Sequence, residues 1–256
     1  MKENLISILR NLEKKKNITI LMAAVTGSHS FGLSSANSDI DVRFIYVHND
    51  RRSYLSLSQP DEVIQLNEGF CDVEGWDLFK TSRLTLKSNP ALFELFQSPI
   101  QLIVQPDYCR VMKGLIEECY SKKALVHHYY RMMTGNLQQL TKTSSSEKKV
   151  LKTWVQVYRS YLVLQYLILF RALPPLCVWE LLDSVLIDKE MKSRMTRIFT
   201  AKQKEEFSKH ESIKSLEFLE GKLPSIKNEI TKLPIGKHME QDLNQLIWSI
   251  LKEGDV

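Results

Sequence analysis

Two aspartates one residue apart, Asp39 and Asp41, head the apolar run Asp39-Ile40-Asp41-Val42-Arg43-Phe44-Ile45-Tyr46-Val47. Side chains alternate faces along a strand, so in an extended segment the two carboxylates share one face while Ile40 and Val42 point to the other. Paired carboxylates on a rigid strand suit a hard divalent cation. Mg²⁺ prefers oxygen ligands and is commonly held by one or two carboxylates together with the phosphates of its substrate. Upstream, Gly27-Ser28 follows the apolar run Ile18-Thr19-Ile20-Leu21-Met22-Ala23-Ala24-Val25. A glycine there lets the chain turn sharply and approach a phosphate with no Cβ in the way, and the Ser28 hydroxyl adds a donor. The ten residues between Ser28 and Asp39 leave room for a short helix or turn before the chain returns beside the first strand.

A centre with two metal ions needs a third carboxylate from a neighbouring strand. Residues 63–68 and 69–76 read as two strands joined by the turn residues Asn67-Glu68-Gly69, and the second offers Asp72, Glu74 and Asp77. Alternation places Asp72 and Glu74 on one face and Asp77 on the other, so at most one group lines the site while strand geometry persists. Asp77 also suits the N-cap of a helix over Leu78 to Lys87.

Gly-Ser, ten residues, then Asp-hydrophobic-Asp-hydrophobic resembles the signature of the polymerase-β-like nucleotidyltransferase superfamily. The chain is more similar still to the subgroup of predicted nucleotidyltransferases found with RNA-repair ligases. Phe31-Gly32, Ser38 to Arg43, Gly75-Trp76-Asp77-Leu78, Lys87-Ser88-Asn89-Pro90, Glu94 and Ser98-Pro99 carry that likeness. It covers the first hundred or so residues well and the rest loosely.

The resemblance implies an α/β domain with a mixed sheet, followed by a helical domain. It favours Asp72 as the third carboxylate and implies that Asp39, Asp41 and Asp72 hold two Mg²⁺ ions, with Mn²⁺ as a substitute. Gly27, Ser28 and Lys87 would contact the nucleotide phosphates. The implied reaction moves a nucleoside monophosphate from an NTP such as ATP to an acceptor hydroxyl: an RNA end, or else a small molecule or a protein. Two departures stand beside the turn, where the subgroup usually has an acidic residue and an arginine and this chain has Val25 and His29. They ground the alternative, a nucleotide-binding, regulatory or antitoxin-like protein that keeps the fold without turnover.

The elements that must position these residues follow from periodicity. Leu5, Ile8, Leu9 and Leu12 lie at helical spacing and end in Lys14-Lys15-Lys16, which complement the negative end of a helix. Tyr54 to Leu57 reads as a short edge strand, and Asn89-Pro90 as a stop followed by a new helix start. Val104 to Asp107 reads as a linker, which sets domains at 1–104 and 105–256. Beyond it, helices are expected at Leu115–Asn136, Ser146–Leu173, Pro175–Leu186, Lys189–Phe207, Ile213–Leu219 and Met239–Leu251, with Gly221 and Pro224 among the breaks.

Composition narrows the class without naming it. The 256 residues are 43% hydrophobic and 25% charged, an ordinary globular balance, and the +5 formal charge is compatible with an anionic substrate. Cys71, Cys109, Cys119 and Cys177 are far apart with no Cys-x-x-Cys pair, which points to reduced thiols in a cytoplasm. The start of the chain has no basic-then-apolar signal pattern. Trp154 to Phe170 is interrupted by polar residues and reads as a core helix, so no membrane partner is expected. P-loop and dinucleotide fingerprints are absent, and Ser30 beside His29 lacks the third member that Ser-His catalysis needs. His127-His128 diverge by about 100° on a helix and are expected to be packed or solvated. Lys148, Lys149, Lys152 and Arg159 are expected to form a solvated basic face.

Overall fold

A computed structural model describes residues 1–141, 146–206 and 213–252. The chain folds as two compact units. The first comprises Met1–Ser30, Asp39–Tyr120 and Gly236–Val256; the second comprises Phe31–Ser38 and Ser121–Ile235.

In the first unit, helix α1 (Lys2–Lys16) leads into strand β1 (Ile18–Thr26) and a single turn of helix, α2 (Gly27–Ser30). Strand β2 (Ile40–His48) follows, then β3 (Val63–Asn67) and β4 (Cys71–Asp77) as an antiparallel hairpin. Helices α3 (Leu78–Leu86) and α4 (Pro90–Gln97), strand β5 (Gln101–Val104) and helix α5 (Pro106–Cys119) come next. The sheet order is β3-β4-β2-β1-β5, with β2 and β4 parallel and the other pairs antiparallel. This is the mixed α/β arrangement that the motifs implied.

One face of the sheet is apolar because of phase. Ile40, Val42, Phe44 and Tyr46 of β2 join Cys71 and Val73 of β4 and Leu5, Leu9 and Leu12 of α1 in one buried cluster. In β1 the inward residues are Ile18 and Ile20, then Ala23 and Val25, a change of parity. The register explains it: Ile20 pairs with Tyr46 and Met22 with Ile45, so Leu21 is an extra residue, a β-bulge. The opposite face at this end of the sheet therefore carries Thr26, Asp41, Arg43, Asp72 and Glu74.

Several local expectations are corrected. The stretch read as an edge strand is a 3₁₀ turn, Arg51–Leu55, capped by the Asp50 side chain, which accepts from the Arg52 N–H; this local bond offers the backbone an alternative to a ladder. The stretch read as a linker at 104–107 is continuous structure. Strand β5 ends at Val104, the Gln105 N–H donates to the Leu21 carbonyl at 2.8 Å, and Pro106 opens α5, a helix start that proline favours. The boundary expected at 104 thus falls inside the first unit, which runs on to Tyr120.

The second unit is helical. It contains α6 (Lys122–Leu140), α7 (Glu147–Phe170), α8 (Val178–Ser184), α9 (Lys189–Lys204) and α10 (Ile213–Ile230). The last helix, α11 (Glu240–Lys252), returns to the first unit. Helix α7 is the axis, burying Trp154, Tyr158, Leu162 and Leu167 among others, and packs against α6, α8, α9 and α10. The single helix expected over 115–136 is two, because Ser121 caps α6 by accepting from the Ala124 N–H at 3.1 Å. Helix α10 runs through Gly221 and Pro224, both expected breaks; burial of Leu219, Ile226 and Ile230 offsets the proline's missing donor. Phe207, the expected end of α9, lies outside the described residues. Arg159 is not on a solvated face: it is 3% exposed, with its guanidinium 3.6 Å from the centroid of the Phe31 ring. His127 and His128 are exposed on α6.

Candidate active site

Strands β2 and β4 start at the same end of the sheet, and their register sets Asp41 directly beside Asp72. Paired residues on adjacent strands share a face and sit about 5 Å apart, so the two carboxylates are neighbours. Asp39 precedes β2, and its charge also acts on Asp41. Burial raises the Asp41 pKa, and Asp72 and Asp39 push it the same way; Arg43 and His29 pull it down without cancelling the rise. Mutual repulsion of this kind is what a cation relieves.

The turn meets the same carboxylate. Gly27 has φ +66°, and a β-carbon there would collide with Asp41 Oδ2 and approach its Cγ to 3.1 Å. Only a residue lacking that carbon lets the backbone come so close. Thr26 pairs with Asp41 across β1 and β2, and Ser30 Oγ donates to the Gly27 carbonyl at 2.9 Å, closing the turn. Ser28 lies within this turn, half-buried.

The three candidates for the third carboxylate separate by their partners. Asp77 is 2% exposed and caps α3, accepting from the Lys80 N–H at 2.7 Å; burial raises its pKa. Glu74 forms an ion pair with Arg43 and accepts from Trp76 Nε1 at 2.8 Å. Burial works to raise the Glu74 pKa, but the hydrogen bonds from Arg43 and Trp76 outweigh it and leave the group below the usual carboxylate range. Asp72 is exposed, accepts from Asn67 Nδ2 at 2.5 Å and pairs with Asp41. Lys87 stands elsewhere in the element order, as the exposed C-cap of α3.

Sequence reasoning passed over two site residues. Arg43 shares the Asp41 face two positions along β2, and alternation alone could have found it. It spans Glu74 and the Trp76 ring, 5.9 Å from the ring centroid. His29, expected neither to ligate nor to catalyse, has a buried Nε2 atom with no hydrogen-bond partner, beside the charged cluster it influences. Val25 is different: it is 0% exposed within the apolar cluster on the face opposite the aspartates. That departure bears on core packing, away from the carboxylate face.

Among the described residues no three His, Cys, Asp or Glu side chains stand close enough together to hold a metal ion by themselves. The donors present are an in-register pair with Asp39 in electrostatic reach. That set fits Mg²⁺, which takes one or two carboxylates and completes its shell with water and substrate phosphates. It does not fit a cation held wholly by protein. Among the described residues, no helix is long and apolar enough to cross a membrane.

Comparison with known proteins places the chain among similar ones. It is 30% identical over 257 residues to the Bacillus subtilis (strain 168) protein "Uncharacterized protein YcgL", covering 99% of this chain and 97% of that one. It is 26% identical over 144 residues to the Methanocaldococcus jannaschii protein "Uncharacterized protein MJ0002", covering 55% and 57% of the two chains. A solved nucleotidyltransferase-like protein from Exiguobacterium sibiricum 255-15 aligns with all of this chain and 81% of its own at 11% identity, with a TM-score of 0.32, a likeness too slight to carry an argument. A family model matches residues 1–249, and by that match the chain belongs to RlaP, the RNA repair pathway DNA polymerase beta family.

Proposed function

We propose that the protein is a Mg²⁺-dependent nucleotidyltransferase that moves a nucleoside monophosphate from an NTP to an acceptor hydroxyl, an RNA end being the first acceptor to test. One observation carries the reading: the register that pairs Asp41 with Asp72, with Gly27 against the Asp41 carboxylate. Asp39, Asp41 and Asp72 would hold the metal, and Mn²⁺ could replace Mg²⁺. Bound there, the cation would polarise the α-phosphate and neutralise the departing pyrophosphate.

The chain's own residues do the positioning. The backbone at Gly27 and the Ser28 hydroxyl receive the β- and γ-phosphates, and the missing Cβ lets this turn lie against the Asp41 carboxylate. Lys87 would be a further phosphate contact, as the family resemblance implies. Arg43 occupies Glu74 in an ion pair and lowers the Asp41 pKa, which favours Asp41 as a carboxylate. Fixed geometry and fixed charge, rather than a protein nucleophile, supply the rate.

A second reading has its own support. His29 occupies the position beside the turn where the subgroup usually has arginine. That substitution suits a protein that binds nucleotide without turnover. The test is incubation of the full chain with each labelled NTP, Mg²⁺ and RNA, small-molecule or protein acceptors, beside Asp41→Ala. Label transfer and pyrophosphate release that the variant loses support the enzyme. Mg²⁺-dependent NTP binding with no transfer to any acceptor class supports the second reading.

A further inference from the structure

The eight residues between the phosphate turn and the first aspartate do not belong to the unit that holds the sheet; Phe31–Ser38 packs as part of the helical unit. Its contacts there run along its whole length. The Phe31 carbonyl accepts from the Val178 N–H at 3.1 Å, and Phe31 stacks on the buried Arg159. The Gly32 carbonyl accepts from Gln203 Nε2 at 2.9 Å and Trp179 Nε1 at 3.2 Å. At the far end one side chain holds two donors: the Glu205 carboxylate accepts from Ser35 Oγ and from Asn37 Nδ2, each at 2.6 Å. Ser35 and Ser38 are tied to each other, the Ser35 N–H donating to Ser38 Oγ at 2.8 Å and the Ser38 N–H to the Ser35 carbonyl at 3.2 Å. The next residue is Asp39.

Glu205 is an unusual residue for its backbone. It ends α9 with φ 57°, the left-handed conformation that helix ends normally give to glycine and that costs a side-chain-bearing residue energy. A strained residue persists where its side chain has a use. Here the use is visible: two charge-assisted hydrogen bonds to the segment that delivers Asp39. The same bonds hold its carboxyl below the usual range, so it is ionised at neutral pH.

We infer that Glu205 is a positioning residue: by anchoring Ser35 and Asn37 it fixes the strap Phe31–Ser38, whose last residue is bonded to Asp39. The inference deepens the proposed nucleotidyl transfer and rests on it for its consequence, though not for its geometry. It also gives the Phe31-Gly32 pair a role, since both members are held by α7, α8 and α9.

The test compares wild type with Glu205→Gly and Glu205→Gln in the full chain. Glycine suits the left-handed helix end, so Glu205→Gly folds with an unchanged or raised melting temperature while losing the anchor. Glu205→Gln keeps the size and one acceptor oxygen. The expected result is faster amide exchange at Ser35, Ser38 and Ile40, weaker Mn²⁺ binding by calorimetry, and a transfer rate lower by about 10- to 100-fold, the scale of an ångström-sized misplacement. Glu205→Gln should fall between wild type and Glu205→Gly. Unchanged exchange at these amides overturns the anchor. Faster exchange with wild-type Mn²⁺ binding and transfer overturns its effect on Asp39. Wild type that neither binds Mn²⁺ nor transfers a nucleotide overturns the functional reading and with it the consequence for Asp39, while the exchange rates still judge the anchor.

Discussion

Gly27 and Asp41 are fitted to each other: a β-carbon on Gly27 would occupy the space of Asp41 Oδ2. Gly27→Ala therefore has two effects. It strains a backbone held at φ +66°, at about 1–2 kcal/mol, and it displaces the Asp41 carboxylate proposed above to hold the metal. The expected outcome is a folded protein with a slightly lowered denaturation midpoint and transfer reduced by about 100-fold. Near-wild-type transfer in this variant would detach the turn from the site.

Asp72 and Asp77 give opposite results if Asp72 is the third carboxylate. Asp72→Asn, at an exposed position, leaves thermal stability within about 0.5 kcal/mol and abolishes Mg²⁺-dependent transfer. Asp77→Ala loses a helix cap worth about 1 kcal/mol and keeps transfer. Denaturation curves and transfer assays on the two variants decide the matter, and the reverse pattern would assign the metal to Asp77.

The raised pKa of Asp41 fixes a direction with pH. In the metal-free protein the folded state holds this proton more tightly than the unfolded chain, so folding stability falls as pH rises from the unfolded pKa of 3.8 through the folded value. Asp41→Asn removes that cost, so at neutral pH the metal-free variant is expected to melt above wild type while transferring nothing. Calorimetric melts in EDTA across the acid range check the sign.

Arg43 lowers the Asp41 pKa, so Arg43→Met raises it further. The acid limb of the pH profile for transfer then moves to higher pH, because more of Asp41 is protonated at a given pH. The lost ion pair, partly exposed, costs about 1 kcal/mol or less. An unmoved acid limb would show that Asp41 ionisation does not govern the rate.

Gly75 lies opposite Phe44 in the parallel pair, and a β-carbon there would collide with the outer edge of the Phe44 ring at Cζ, Cε1 and Cε2. Gly75→Ala is expected to cost about 1–3 kcal/mol as an overpacked core. Phe44→Leu in the same chain should recover part of that loss, which a double-mutant cycle in denaturant measures.

What could be read in advance was whatever depends on local spacing. The alternation of Asp39, Ile40, Asp41 and Val42 fixes faces without any knowledge of partners, and the helical spacing of Leu5, Leu9 and Leu12 fixes the buried side of α1. The second possible role noted for Asp77, capping α3, was legible for the same reason, since a cap is a bond between near neighbours. Pairing was not legible. That Asp41 lies beside Asp72 depends on the register of two strands whose paired residues are 31 apart, and that Glu74 is held by Arg43 follows from the same register. Val25 beside the turn looked like a change in the site; only the bulge reveals that it faces α1. Glu205 lies 168 residues from the asparagine it binds, beyond any spacing rule.

The extra residue at Leu21 makes the length of β1 a discrete quantity. Adding or deleting one residue between it and Gly27 would exchange inside for outside, sending an aliphatic side chain to the carboxylates and Thr26 into the apolar cluster. Two residues would restore the arrangement. Evolution and engineering alike can change this strand only in even steps, or else must move the bulge with it.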